Sequence, residues 1–99
     1  MEKPFPAYTG DEPYTFVCYA HVDSDVVFEE MRHLHKAGVH LWYDDGIKGG
    51  EVWRAEIATA IDGAAAFVCF ISPSSVKSLH CLREINYAVS YTHLRAHET

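Results

Sequence analysis

The sequence is poor in positive charge and has no long apolar run. Its 99 residues contain 8 Lys and Arg against 14 Asp and Glu, which gives a formal net charge of −6. Nucleic acids and anionic membranes are bound by clustered cations, so we expect neither as a partner. No apolar segment reaches the roughly 20 residues of a membrane-spanning helix. The opening residues, MEKPFPAYTG, lack the apolar core of a secretory signal.

Cysteine is scarce and odd in number, with Cys18, Cys69 and Cys81 at unpaired spacings. This usage predicts reduced thiols in a cytosolic protein, without disulfides. Cys18 and Cys69 fall within predicted strands, where a small buried core residue is the simplest role for each. His33 and His35 are two apart on a predicted helix and point to different sides. Local spacing therefore predicts no metal site.

Strand and helix signals alternate along the chain. Residues 14–19 and 39–43 are rich in aromatic and β-branched side chains, and the unbroken apolar run 64–71 is typical of a strand buried on both faces. Helical spacing of apolar residues marks three helices, with stripes Val27, Met31 and Leu34; Trp53, Ile57 and Ile61; and Leu82, Ile85 and Val89. The order predicts an α/β fold, a parallel sheet with helices on both faces.

The two ends of the chain differ from this pattern. Residues 1–13 contain three prolines and are predicted to be a mobile leader. Residues 89–99, VSYTHLRAHET, look like the translation of a transposase-type sequencing adaptor, and we expect them to be non-native. The alternative is a simple continuation of the last helix. His93 and His97 lie in this tail, so their i, i+4 spacing is discounted as a metal signal.

Two phosphate-related functions are disfavoured by the loops. Residues 46–50 are glycine-rich and precede a helix, but match neither nucleotide-binding glycine pattern, so a flexible connector is favoured. A phosphoacceptor receiver domain needs an aspartate at the end of its third strand, and Ser72-Pro73 stands there instead.

Glu84 is the most informative acid of the sequence. It lies on the last helix, on a flank that it shares with His80 and Cys81 at i, i+4 and i, i+3 spacing. A helical glutamate is most often solvated, whereas one that faces a pocket after a buried strand is placed where open α/β sheets bind ligands. Function depends on which of these two positions Glu84 takes.

Three motifs, in order and at matching spacing, resemble a bacterial-type Toll/interleukin receptor (TIR) domain. FVCYAHVDSD resembles the family's opening box, and GVHLWYDD-GIKGGEVW resembles its second strand, BB loop and next helix. AIDGAAAFVCFISPSSVKSLHCLREINYA resembles its third strand and the helix that carries the family's glutamate. The match covers residues 14–88 and implies a flavodoxin-like fold, of which this chain supplies the first three strands.

The resemblance also implies a chemistry. Many TIR domains hydrolyse NAD⁺ between nicotinamide and ribose, with NAD⁺ as substrate and no cofactor, and Glu84 matches their catalytic glutamate. An ordinary glutamate is ionised at pH 7, which suits stabilisation of a positively charged ribose. The expected cleft-lining residues are Tyr19, His21, Trp42, Ser72 and His80. His80 stands where hydrolysing members often have tryptophan.

One alternative is a non-catalytic module that signals through TIR–TIR assembly. Another is a fragment, cut short after three strands, that neither folds stably nor acts, so that the hydrolysis is expected of the longer protein. In either case the resemblance implies a cytoplasmic immune or stress-signalling protein that associates with other TIR domains. The BB loop is the expected interaction element, and comprises Asp44, Asp45, Gly46, Ile47, Lys48, Gly49 and Gly50. Its glycines suit a mobile loop.

Overall fold

The computed structural model describes residues 3–44 and 50–91, in which strands and helices alternate as predicted. In chain order these are β1 (Thr15–Cys18), α1 (Ser24–Lys36), β2 (Leu41–Tyr43), α2 (Glu51–Gly63), β3 (Ala66–Cys69) and α3 (Leu79–Tyr91), with short 3₁₀ turns at His21–Asp23 and Ser75–Lys77. No helix within the described ranges combines the length and apolarity that crossing a bilayer requires.

The described strands form one parallel sheet in the order β2-β1-β3. Thr15 is in register with Leu41 on one side and with Ala66 on the other, so β1 has a neighbour along both edges. Helix α1 covers one face of the sheet, and α2 and α3 cover the other. The predicted flavodoxin-like α/β class is thus confirmed.

The two faces of β1 supply separate cores. Val17 and Tyr19 point toward α1 and pack in a cluster with the buried Val27, Phe28 and Met31. On the opposite face, the core joins residues of β1 to small residues of α2 and α3; these are Phe16, Cys18, Ala20, Ala60, Ile61, Cys81 and Ala88. Strict alternation of side chains along β1 therefore determines which helix each core residue meets.

The prediction that residues 64–71 form a strand buried on both faces is wrong. β3 is shorter, and its side chains alternate between exposed and half-buried, with Val68 exposed and Phe67 packed against the α2 and α3 side. The reason is position: β3 stands at the edge of the described sheet, and α1 packs over β1 and β2 rather than over β3. The fully buried strand is β1.

Helix α3 presents a different face from the predicted stripe. Leu82 and Val89 are exposed, whereas Cys81, Glu84 and Ala88 are buried. The helix is thus turned so that small side chains and one carboxyl group face the sheet. On α1, similarly, Phe28 is buried in place of the predicted Leu34, which is exposed.

The segment predicted to be a mobile leader packs on the fold. Phe5 is only 9% exposed, stacks on His35 with ring centroids 4.1 Å apart, and accepts a hydrogen bond at its carbonyl from the Tyr43 hydroxyl. The Tyr8 amide donates to the Leu41 carbonyl at 2.9 Å, which extends the contact along β2. At the other end, α3 continues to Tyr91, and residues 45–49 and 92–99 lie outside the described part.

Replacing Phe5 by alanine is expected to lower the free energy of unfolding by about 2–4 kcal/mol, because the ring fills core volume beside Phe28 and Tyr43. Urea denaturation followed by tryptophan fluorescence measures the change. Val22→Ala is the control, since Val22 is 81% exposed and should change stability by less than about 0.5 kcal/mol. Equal stability of the two variants would restore the mobile-leader hypothesis.

Candidate active site

A cleft of about 410 Å³ opens between α2 and α3, beside the segments that follow β1 and β2. Its volume falls in the range of small-molecule sites, and ligands of open α/β sheets bind at this carboxyl edge of the strands. The described lining residues are His21, Asp44, Gly50, Trp53, Arg54, Ile57, Ala58, Ile61, His80, Arg83, Glu84 and Tyr87.

Glu84 forms part of the cleft wall and is almost fully buried, with 5% of its surface exposed. Its atom Oε2 is inaccessible and has no hydrogen-bond partner within the described structure. His80 Nδ1 lies 3.2 Å from this oxygen, but the contact lacks hydrogen-bond geometry. A buried carboxyl oxygen without a donor is costly to keep, so this position is a candidate functional site.

Burial raises the pKa of Glu84 from its ordinary 4.5 to about 8. A hydrogen bond with the Cys18 thiol lowers the pKa and the nearby Asp44 raises it further, but loss of solvent dominates. In the ligand-free cleft the carboxyl is therefore largely protonated at neutral pH. The expectation of default ionisation at pH 7 is wrong, because it assumed a solvated side chain.

The two histidine rings of the cleft lie against each other, and His80 also approaches Glu84. The rings of His21 and His80 have centroids 4.5 Å apart and are tilted by 41°. Burial, and then the neighbouring His21, lower the pKa of His80, so its imidazole is neutral at physiological pH. A neutral ring offers a flat surface and a nitrogen lone pair to a ligand.

Asp44 is fixed by bonds from both sides of the sheet. The Tyr19 hydroxyl donates to its backbone carbonyl at 2.6 Å, and the Trp53 indole donates to its Oδ1 at 3.1 Å. Its Oδ2 lies 3.7 Å from His21 Nε2 and so is directed toward the histidines. The first residue of the predicted BB loop thus contributes a buried carboxylate to the cleft.

Of the predicted site residues, the structure brings His21, His80 and Glu84 together in the cleft. Tyr19 lies beneath it: the ring is buried against His21 and Phe28, and the hydroxyl positions Asp44. Its predicted contact with substrate is replaced by this supporting role.

Trp42 and Ser72 are absent from the described lining of this cleft, contrary to prediction. Trp42 lies beside a different face of α2, stacks between Phe16 and Trp53, and lines a second groove with Tyr8. The Ser72 hydroxyl donates to Asp23 and accepts from the Ser75 amide, so it organises the loop before α3. Both side chains therefore contact neighbouring residues of the fold rather than the cleft.

Several lining residues were missed by sequence reasoning. Trp53 was assigned to packing from its helical stripe, yet the same face of α2 is the wall of the cleft. Arg54 and Arg83 bring two guanidinium groups to the rim, from α2 and α3. The only available signal was that each arginine adjoins a residue of the candidate site, Trp53 or Glu84.

The three cysteines are free thiols grouped under the cleft. Cys18 and Cys69 are paired across β1 and β3, and their mutual hydrogen bond raises the pKa of Cys18 and lowers that of Cys69. Burial raises the pKa of Cys81. Cys18 and Cys81 are fully buried, as small core residues.

A model of the TIR-domain family matches residues 15–98 of this sequence. The chain therefore belongs to the TIR-domain family, whose members act in signalling and associate through TIR–TIR contacts. The matched range extends over most of the segment predicted to be non-native, whose origin stays a prediction. A search of curated proteins finds no significant match.

Replacing Glu84 by glutamine is expected to stabilise the protein, increasingly so at higher pH. A carboxyl group whose pKa is raised on folding does not change the free energy of unfolding below its ordinary pKa of 4.5. It lowers that free energy progressively as the pH rises toward 8. The variant lacks this loss, so at pH 7 its free energy of unfolding should exceed that of wild type by about 3 kcal/mol.

Urea denaturation in EDTA at several pH values between 4.5 and 8 measures this difference. Glu30→Gln, at an exposed position of α1, is the matched control and should follow wild type at every pH. A Glu84→Gln variant with the same pH dependence as wild type would contradict the burial of an uncompensated carboxyl.

Proposed function

We propose that this TIR domain cleaves NAD⁺ at the bond between nicotinamide and ribose, as part of a cytosolic signalling protein. The observation that carries the proposal is Glu84, a buried carboxyl group on the wall of a cleft of small-molecule size, whose Oε2 has no hydrogen bond from any residue that the structure describes. This arrangement is unfavourable in the empty protein and becomes favourable when a cation is bound beside it.

NAD⁺ supplies such a cation. Its nicotinamide ring is positively charged, so its entry beside Glu84 favours the ionised carboxylate. As the bond from C1′ to the ring nitrogen breaks, its electron pair stays with neutral nicotinamide and the positive charge moves to the ribose. The Glu84 carboxylate stabilises this oxocarbenium ion in a site of low dielectric. Water then adds to C1′ and releases a proton, which gives ADP-ribose.

The other lining residues suit the rest of the substrate. The half-buried rings of His80, His21 and Trp53 provide flat surfaces on which nicotinamide could stack. Arg54 and Arg83 stand at the rim, where they would meet the pyrophosphate. The chain's overall charge of −6 would repel an anionic substrate, and these two cations offset that repulsion at the cleft.

Self-association is the second part of the proposal. The BB loop begins at Asp44, whose backbone and side chain are held by Tyr19 and Trp53 in the cleft, and ends at Gly50, which has a φ of +94°. A contact made by the loop on a neighbouring TIR domain would therefore bear directly on the cleft. A module that only assembles, without hydrolysis, remains the alternative.

Glu84→Gln is expected to reduce NAD⁺ turnover by at least about 100-fold, because the amide cannot supply the negative charge. Nicotinamide release measured by chromatography, over a range of protein concentrations, provides the test. Glu30→Gln controls for substitution and should retain full turnover, and urea denaturation of Glu84→Gln checks that the variant is folded.

Turnover by Glu84→Gln equal to wild type would refute the catalytic role of this carboxyl. Wild type that self-associates in sedimentation but hydrolyses no NAD⁺ at any concentration would instead favour the assembly module.

Arg83→Ala is expected to raise the KM for NAD⁺ roughly tenfold with little change in kcat, because it removes one charge-assisted bond to the pyrophosphate. Arg32→Ala, on the exposed face of α1, is the matched control. Nicotinamide riboside, which has no phosphate, should show no such effect. A loss of kcat in Arg83→Ala with both substrates would place Arg83 at the reacting end instead.

A further inference from the structure

Three metal-ligating side chains that are far apart in the sequence meet in the cleft. His21 comes from the turn after β1, Asp44 from the end of β2, and His80 from the first turn of α3. One donor atom from each lies within 4.8 Å of the others. Two imidazole nitrogens and one carboxylate oxygen form a donor set that suits Zn²⁺, and suits Mg²⁺ or Ca²⁺ poorly.

The distances are close to those of a coordinated ion. Zinc bonds of about 2.0–2.1 Å in tetrahedral geometry set neighbouring ligand atoms roughly 3.4 Å apart. His21 Nε2 and Asp44 Oδ2 are already 3.7 Å apart. Rotations of His21 and His80 would close the remaining spread, since their side chains are about a third exposed and border open cleft.

Two further observations point to a ligand at this place. His21 Nε2 and Glu84 Oε2 are buried and have no hydrogen-bond partner in the described ranges, and Glu84 is more than nine-tenths buried. Glu84 Oε2 lies 3.2 Å from His80 Nδ1, which adds an oxygen beside the three donors. The Trp53 indole holds Asp44 Oδ1 at 3.1 Å, and such an outer contact is what orients a ligating carboxylate.

We propose that His21, Asp44 and His80 form a Zn²⁺ site in the cleft. The ion occupies the space between the histidine rings and Glu84, which the nicotinamide end of the substrate also requires. Resting on the proposed function, this geometry makes Zn²⁺ an inhibitor that competes with NAD⁺. The binding of the ion itself depends only on the three side chains.

Calorimetric titration of the full chain with Zn²⁺, under reducing conditions, tests the site directly. One equivalent of Zn²⁺ should bind. Loss of an outer contact weakens metal affinity roughly 10- to 100-fold, and His21→Ala and His80→Ala should each weaken it by more than that. His33→Ala is the matched control, because His33 is exposed on α1 and should leave the affinity unchanged. Unaltered affinity in both cleft variants, or no binding by wild type, would overturn the proposal.

Co²⁺ provides a readout that separates this site from the cysteines. Ligation by nitrogen and oxygen gives visible d–d bands without a thiolate charge-transfer band, whereas a strong near-ultraviolet charge-transfer band would assign the ion to Cys18, Cys69 or Cys81 and overturn the proposal. The spectrum of wild type suffices for this test, so it does not depend on the folding of any variant.

NAD⁺ turnover at several Zn²⁺ concentrations tests the inhibitory role separately. Competition should raise the apparent KM in wild type and leave His21→Ala much less sensitive to the ion. Site-specific binding of Zn²⁺ in a protein that does not hydrolyse NAD⁺ would refute the proposed function and leave the metal site standing. Hydrolysis that Zn²⁺ does not affect, despite binding, would refute the competition.

Discussion

The pairing of β1 with a parallel strand along each edge is the constraint on which the rest of the structure depends. Because both edges are hydrogen bonded and both faces are covered, β1 is the most buried strand of the described sheet. Its direction brings Tyr19 and His21 to the same edge as Asp44, at the end of β2. The cleft is therefore a product of strand register, and its His21 and Asp44 converge although they lie 23 positions apart in the sequence.

The second determinant is the rotation of α3. Hydrophobicity alone favoured Leu82, Ile85 and Val89 as its buried stripe, but the structure buries Cys81, Glu84 and Ala88. Small side chains allow the helix to approach β1 closely: the Cys18 thiol reaches the Cys81 carbonyl at 3.8 Å. The fit of these small side chains against β1, a strand more than 60 residues earlier, sets the orientation of α3. The spacing of apolar residues within the helix does not indicate it.

What could be predicted from the sequence follows the same division between local and distant information. The order of helices and strands came from local patterns and is confirmed, whereas the functional importance of Glu84 and His80, which came from motif spacing, stays a prediction. The two tryptophans show the limit: Trp42 was expected in the cleft and Trp53 in the core, yet Trp53 lines the cleft and Trp42 a separate groove. Placing the two tryptophans requires both the face of the sheet to which each side chain of β2 points and the rotation of α2 about its axis. Local sequence patterns indicate each of these separately and do not relate one to the other.

The burial that makes Glu84 unfavourable in the empty protein is also the reason why both proposed ligands are cations. A neutral ligand without a hydrogen-bond donor would leave the raised pKa of Glu84 and the unsatisfied Oε2 of the described structure unchanged. A cation beside Glu84 offsets the desolvation of the carboxylate, and the nearby Asp44 adds to the attraction. On the two proposals, nicotinamide would meet this demand by its ring charge and Zn²⁺ by coordination to the histidines. Selectivity between them would then rest on the rim arginines, which attract phosphates and repel a metal ion.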